Sequence, residues 1–88
     1  MTEKQIKIIN KLGLHARPSA LLVQKASKFK SEITLEKEGQ KVNGKSIMGV
    51  MMLAAEQGSI LTISAQGEDE AQAVQALVEI IESKFGEE

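Results

Sequence analysis

The sequence has no cysteine, tryptophan or tyrosine, and it contains only one histidine and one proline. Without cysteine the chain can form neither a disulfide framework nor a thiolate metal site, and a reducing cytosol is its natural compartment. A single histidine does not make a metal site without carboxylates that the fold brings together, and no ligand spacing in the sequence indicates one. We therefore expect no metal and no cofactor.

The sequence also lacks an excess of charge and any long apolar run. The formal net charge of the 88 residues is −1, and the only aromatic residues are Phe29 and Phe85, so there is neither a basic stripe nor a stacking platform for nucleic acid. The longest apolar run, residues 50–55, is far shorter than a membrane span, and the first residues contain no signal-peptide core. Together with the length of the chain, these absences predict one cytoplasmic domain over residues 1–88 that is not inserted in a membrane and has a frayed tail at residues 86–88. We also expect the protein to be a monomer.

Hydrophobic periodicity predicts seven elements. Alternation of polar and apolar residues indicates strands at 5–9, 32–36 and 60–65, and the turn signal Glu38-Gly39 joins the second of these to a short strand at 40–43. Apolar residues at helical spacing indicate helices from 16 to about 28, from an N-cap at Ser46 to a stop at Gly58, and from about 70 onward. The last helix has the predicted apolar stripe Ala71, Val74, Leu77, Ile81 and Phe85.

The element order βαββαβα predicts an α+β fold. Strands with one polar face, a hairpin and two helical crossovers indicate a four-stranded antiparallel sheet that is open on one side and carries three helices on the other. In this two-layer sandwich the split βαβ arrangement places strand four between strands one and two.

The only histidine, His15, falls where the first strand gives way to the first helix. Arg17 and Pro18 then occupy the first helical turn, where proline is tolerated because its missing N–H would have no partner. The free N–H groups and the helix dipole favour an anion and disfavour imidazolium, which leaves a ring lone pair available to attack an electrophile. Arg17 is placed to clasp an anionic group delivered to that nitrogen. The pattern predicts a phosphoryl acceptor, although a lone histidine at a helix start is more often a surface residue or a backbone hydrogen-bonding group.

Two stretches resemble the HPr family, the histidine-containing phosphocarriers of the bacterial phosphoenolpyruvate-dependent phosphotransferase system. Residues 13–19, GLHARPS, resemble the active-site signature, and residues 42–50, VNGKSIMGV, resemble the segment around the regulatory serine. The resemblance implies that Nδ1 of His15 accepts a phosphoryl group from phospho-enzyme I and passes it to a histidine of an enzyme IIA domain. It further implies that Arg17 neutralises phosphate and that Ser46 matches the serine modified by an HPr kinase/phosphorylase in those bacteria that have one. Such a relay protein serves sugar uptake or metabolic regulation and is not itself an enzyme.

The second helix contains more apolar residues than one face of a short helix can bury. We expect Val50 and Leu53 in the core, and we expect Leu21, Ile47, Met48 and Met51 to border the His15 site as a docking patch. Flexible methionine side chains suit a surface that must fit several partners in turn.

Two other functions stay open at this level. One is a regulatory binding module that holds partners on the same surface without carrying phosphate. The other is a small split βαβ domain with a nucleic-acid or metal role, which the composition opposes. Ser46 likewise has a complete structural explanation as a helix N-cap.

Overall fold

The structure is a computed structural model that describes residues 1–87, so the part of the predicted tail at Glu88 lies outside the described residues. The strands are β1 (Thr2–Lys7), β2 (Glu32–Lys37), β3 (Gln40–Asn43) and β4 (Ile60–Gln66). The helices are α1 (Ala16–Ala26), α2 (Ile47–Met52) and α3 (Glu70–Glu82), and a 3₁₀ turn at Lys84–Gly86 follows α3. The order is the predicted βαββαβα.

The four strands form one antiparallel sheet in the order β1-β4-β2-β3. Strand β4 lies between β1 and β2, as the split βαβ prediction requires. The β2–β3 hairpin turns at Glu38 and Gly39, whose φ angles of 50° and 85° are both positive. Two successive positive φ angles are the requirement of a type I′ turn, which matches the twist of the flanking strands.

The core lies between one face of the sheet and the three helices. In β4 the buried residues alternate with more exposed ones, which places Leu61, Ile63 and Ala65 on the covered face as predicted. The helices contribute the remaining apolar layer, and Val50 and Leu53 are buried within it. The helical core residues are Leu22, Val23 and Ala26 of α1, Val50 of α2, and Ala73, Val74, Leu77, Val78 and Ile81 of α3.

Several predicted boundaries were wrong. Strand β1 occupies residues 2–7 rather than 5–9, because the backbone groups of Ile8 bond to the loop at Gly58 and Ser59. Helix α1 ends two residues earlier than predicted. Helix α2 ends at Met52 instead of reaching Gly58, because Ala54 turns the chain away with a φ of 49°.

The early end of α2 is stabilised by a lysine from the sheet. The Nζ atom of Lys37 donates hydrogen bonds to the carbonyl oxygens of Leu53 and Ala54, at 3.1 and 3.2 Å. These carbonyls lie where a helix leaves acceptors without a partner, and a cation is favourable there.

In α3 the prediction for Ala71 was also wrong: this residue is exposed, since the buried face passes through Ala73 and Val74 instead.

Candidate functional site

The loop that leads into α1 is fixed by contacts on both sides. Leu14 is buried in the core, and its N–H donates to the carbonyl of Ala55 at 2.8 Å. The buried hydroxyl of Ser19 donates to the carbonyl of Leu14 at 3.0 Å. Gly13 has a φ of 68°, and a Cβ there would lie 2.5 Å from the Ala55 oxygen, so no other residue fits without a backbone shift. The position of His15 is therefore determined by the fold.

His15 occupies the N-cap position of α1, as predicted. Its backbone is extended, with φ −77° and ψ −170°, and its side chain makes no capping hydrogen bond. Its carbonyl accepts the first helical hydrogen bond, from Ser19 at 3.0 Å. The imidazole side chain is 37% exposed, so the ring is accessible to a partner while its backbone is held by the helix.

A carboxylate from the end of the chain joins His15 and Arg17. Oε2 of Glu87 lies 2.9 Å from Nε2 of His15 and 3.1 Å from Nη1 of Arg17. The same Nη1 donates to the carbonyl of Phe85 at 2.8 Å. The predicted frayed tail is thus wrong for Gly86 and Glu87, because the buried Phe85 ties the segment to the core.

The side chain of Asn10 holds the Glu87 carboxylate by a hydrogen bond. Its side chain is fully buried, and Nδ2 donates to both Oε1 of Glu87 and the carbonyl of Gly13, each at 2.9 Å. Desolvation alone would raise the pKa of Glu87. The hydrogen bonds donated by Asn10, His15 and Arg17 outweigh it, so the pKa lies below its ordinary value. Glu87 is therefore a carboxylate near neutral pH.

Sequence reasoning found His15 and Arg17 but missed Asn10 and Glu87. Glu87 is 72 positions from His15, and no local pattern connects the two. The one signal was Phe85, the last residue of the apolar stripe, which indicates that the chain returns to the core just before its end. Arg17 was expected to clasp an incoming anion, whereas its Nη1 is bonded to an anion that the chain itself supplies.

Ser46 is the N-cap of α2, as predicted. Its Oγ accepts a hydrogen bond from the N–H of Gly49 at 3.1 Å, and its backbone is extended with φ −114° and ψ 117°. The residue is half-buried. The hydroxyl therefore has a structural role in starting α2, and it lies at the edge of the apolar residues that follow it.

The predicted docking patch is exposed for the most part. Met48 is 75% exposed, Ile47 and Met51 are 45% and 44% exposed, and Leu21 is half-buried. Helices α1 and α2, which carry these residues, pack against each other. The prediction omitted Leu12 and Met52, which are exposed by 71% and 65%. Leu12 lies three residues before His15.

The rest of the described chain shows no other candidate centre. Within residues 1–87 no three His, Cys, Asp or Glu side chains are grouped so that they could hold a metal ion. Over the same residues, no helix has the length and apolar character needed to cross a membrane. A concavity of about 790 Å³ lies on the open face of the sheet, lined by residues such as Glu3, Gln5 and Thr62. His15 is not among the residues that line it.

Comparisons with known proteins match this chain and its fold. A family model described as "PTS HPr component phosphorylation site" matches residues 2–83. The phosphocarrier protein HPr of Xylella fastidiosa strain Temecula1 is 53% identical over 88 residues, which cover all of this chain and 99% of the relative. The crystal structure of HPr-C-His from Thermoanaerobacter tengcongensis is 60% identical, with a TM-score of 0.97 over 100% of this chain and 99% of that one. A crystal structure described as an HPr dimer from the same organism has a TM-score of 0.80, with 60% identity over 99% of this chain and 100% of that one.

The fold and these relatives define the class as small α+β phosphocarrier proteins. The chain belongs to the HPr family, the phosphocarrier proteins of the phosphotransferase system.

Proposed function

We propose that His15 accepts a phosphoryl group from phospho-enzyme I and passes it to a histidine of an enzyme IIA domain, in sugar uptake or metabolic regulation. The observation that carries this proposal is the state of the His15 side chain: it stands at a helix N-cap, is not used for capping, and is exposed. The ring contacts Glu87 through Nε2, and its Nδ1 atom is available for chemistry.

The helix terminus supports the arrival of a phosphoryl group. The N–H groups of Ala16 and Arg17 lie in the first turn, where a helix offers donors without intrahelical partners. The positive end of the helix dipole also favours an anion. Transfer between two histidines needs alignment of donor, phosphorus and acceptor and stabilisation of the charge on the phosphoryl oxygens. The chain has to supply only the acceptor and part of that charge.

Arg17 is the proposed source of the remaining positive charge. Its Nη1 is bonded to Glu87 and to the Phe85 carbonyl, and the guanidinium has further N–H donors on Nη2 and Nε. Arg17 therefore contacts the phosphoryl group either through these donors or after Glu87 releases it. In both cases its side chain acts as a cation beside the reacting nitrogen.

The partners are proposed to dock on a patch formed by Leu21, Ile47, Met48 and Met51. Exposed apolar side chains on two packed helices provide a surface that can be desolvated by enzyme I and, in turn, by a IIA domain. We further propose that the relay is cytoplasmic and that the chain works as a monomer. Size-exclusion chromatography with light scattering tests the monomer against the dimer described for the Thermoanaerobacter relative.

Ser46 is proposed as a site of regulation by an HPr kinase/phosphorylase. A phosphate on Oγ would lie at the start of α2, next to Ile47 and Met48. The two negative charges would then have to be desolvated at the docking patch, which disfavours binding of partners.

The relay is tested by a chase experiment. The chain is labelled with enzyme I and [³²P]phosphoenolpyruvate, freed of both, and mixed with a purified IIA domain. The expected result is movement of label to the IIA domain and recovery of the unlabelled chain. Gln72→Ala, a change at an exposed position near the start of α3, is the control and should behave as the parent. Label that stays on the chain in the presence of IIA domains would contradict the relay, whereas a chain that takes up no label from enzyme I would favour a regulatory binding module.

A further inference from the structure

The two ring nitrogens of His15 have different environments. Nε2 lies 2.9 Å from Oε2 of Glu87, while the described residues give Nδ1 no hydrogen-bond partner. A carboxylate can only accept a hydrogen bond, so in the neutral ring the contact requires the proton on Nε2. The lone pair is then on Nδ1.

The carboxylate is held in place by groups other than His15. Its Oε1 accepts from Nδ2 of Asn10 at 2.9 Å, and its Oε2 accepts from Nη1 of Arg17 at 3.1 Å. Nδ2 of Asn10 also donates to the carbonyl of Gly13, so both hydrogen-bond partners of this amide nitrogen are acceptors. A flip of the amide would place Oδ1 against these two acceptors and would lose both hydrogen bonds. The Glu87 side chain is accordingly only 19% exposed. A carboxylate fixed by two donors can act on the third group it contacts, as an orienting partner does for a catalytic histidine.

We propose that Glu87 is a positioning residue that decides which nitrogen of His15 takes the phosphoryl group, an inference that rests on the proposed function. The carboxylate keeps the proton on Nε2 and covers that nitrogen, so that the electrophile meets only the Nδ1 lone pair. Asn10 and Arg17 act through Glu87 by holding its two oxygens.

The transfer step is balanced under this arrangement. The Nδ1 lone pair forms the new N–P bond, and the bond between phosphorus and the donor atom breaks, with its electron pair left on the donor. No proton leaves Nδ1, because none is there. The ring then carries a positive charge with its proton still on Nε2, and the Glu87 carboxylate stabilises that charge through the existing hydrogen bond.

The test uses two variants of Glu87 that both lack the negative charge but differ in whether a hydrogen-bond acceptor remains. Glu87→Gln removes the charge but keeps an oxygen that can accept from Nε2–H, whereas Glu87→Ala removes the acceptor. Glu82→Ala, at an exposed position of α3, is the control for loss of a nearby carboxylate. Each protein is phosphorylated chemically with phosphoramidate, so that no enzyme I takes part, and the linkage is assigned to Nδ1 or Nε2 by ¹⁵N and ³¹P NMR.

The parent and the Glu82→Ala control should give the Nδ1 product. In Glu87→Ala the ratio of Nδ1 to Nε2 product should fall by about tenfold, the factor at the lower end of what a charge-assisted hydrogen bond contributes. Glu87→Gln should fall between the two. An unchanged ratio in Glu87→Ala, or an equal mixture in the parent, would overturn the proposal.

A second measurement needs no phosphoryl donor. The ¹⁵N shifts of the neutral His15 ring report the tautomer directly: the parent should be held as Nε2–H, and Glu87→Ala should show a measurable share of Nδ1–H. A parent ring with its proton on Nδ1 would overturn the proposal even if the reagent does not react. Because both measurements omit enzyme I, a failure of Glu87 is distinguished from a failure of the relay.

Discussion

The cap formed by Ser46 allows a prediction in which stability and function move in different directions. Helix α2 has only six residues, and its first turn depends on the 3.1 Å hydrogen bond from the Gly49 N–H to the Ser46 hydroxyl. Ser46→Ala removes the acceptor and leaves that N–H without its cap partner. Loss of a serine cap costs about 1 kcal/mol. In a domain of this size the melting temperature should fall by roughly 4–8 °C.

Ser46→Asp should have the opposite effect on stability. An aspartate at the N-cap keeps an acceptor for the Gly49 N–H and adds a negative charge at the positive end of the helix, which contributes about 0.3–1 kcal/mol. The melting temperature should therefore stay level or rise slightly. The same charge lies beside Ile47 and Met48, which partners must desolvate, so phosphorylation of His15 by enzyme I should slow.

Thermal melts by circular dichroism and initial rates of phosphoryl transfer measure both effects. Ser27→Ala is the matched control, because Ser27 is exposed and no side-chain hydrogen bond is found for it within residues 1–87; it should leave both quantities unchanged. Equal melting temperatures for Ser46→Ala and the parent would refute the capping argument. Ser46→Asp that accepts phosphate as fast as the parent would show that Ser46 is only a cap.

Three further changes have definite expected results. Arg17→Ala should keep the fold, as judged by circular dichroism, but slow transfer in rapid-quench assays, since the phosphoryl group loses a nearby cation; an unchanged rate would show that the helix terminus suffices. Met48→Asp should weaken binding of enzyme I and of IIA domains by more than about 1 kcal/mol in calorimetry, and unchanged affinity would place Met48 outside the interface. Hydrogen bonds from the Ser31 hydroxyl and the Lys30 N–H lower the pKa of Asp69 from 3.8 to about 2. Its contribution to stability is complete above pH 3.8 and is lost as the pH falls toward 2, so urea unfolding of Asp69→Asn should depend less on pH in that window than unfolding of the parent.

The parts of the fold that were predicted correctly rest on local signals. Alternation at Leu61, Ile63 and Ala65 identifies β4, and the residues at Glu38 and Gly39 identify the hairpin turn. The cap at Ser46 marks the start of α2 within one residue. Each of these signals is contained in a window of a few residues, where the period of the backbone decides which side chains are covered.

The end of α2 could not be predicted in the same way. It depends on Lys37, which reaches from β2 to the carbonyls of Leu53 and Ala54, and on a positive φ at Ala54, a residue that rarely adopts one. Both are consequences of tertiary packing. Gly58 was a reasonable stop by composition, but it serves the turn before β4, where its N–H bonds to the Ile8 carbonyl at 2.8 Å.

The candidate site likewise contains residues that a local motif identifies and residues that only tertiary packing brings there. His15 and Arg17 are recognisable because they share one short motif at a helix start. Asn10 and Glu87 contact that motif from a buried loop position and from the end of the chain, and only the packing of Phe85 brings Glu87 there. A motif can thus identify the reacting group, while the residues that orient it follow from the fold.

The most direct test of the account is to identify the residue that carries phosphate after reaction with enzyme I and [³²P]phosphoenolpyruvate. Peptide mapping under alkaline conditions should find one label per chain, on His15, in a linkage that acid removes and base preserves, as expected for a phosphoramidate. His15→Ala, which contains no other histidine, should fold as the parent does and take up no label. Label on any other residue, or label that persists in His15→Ala, would contradict the central claim.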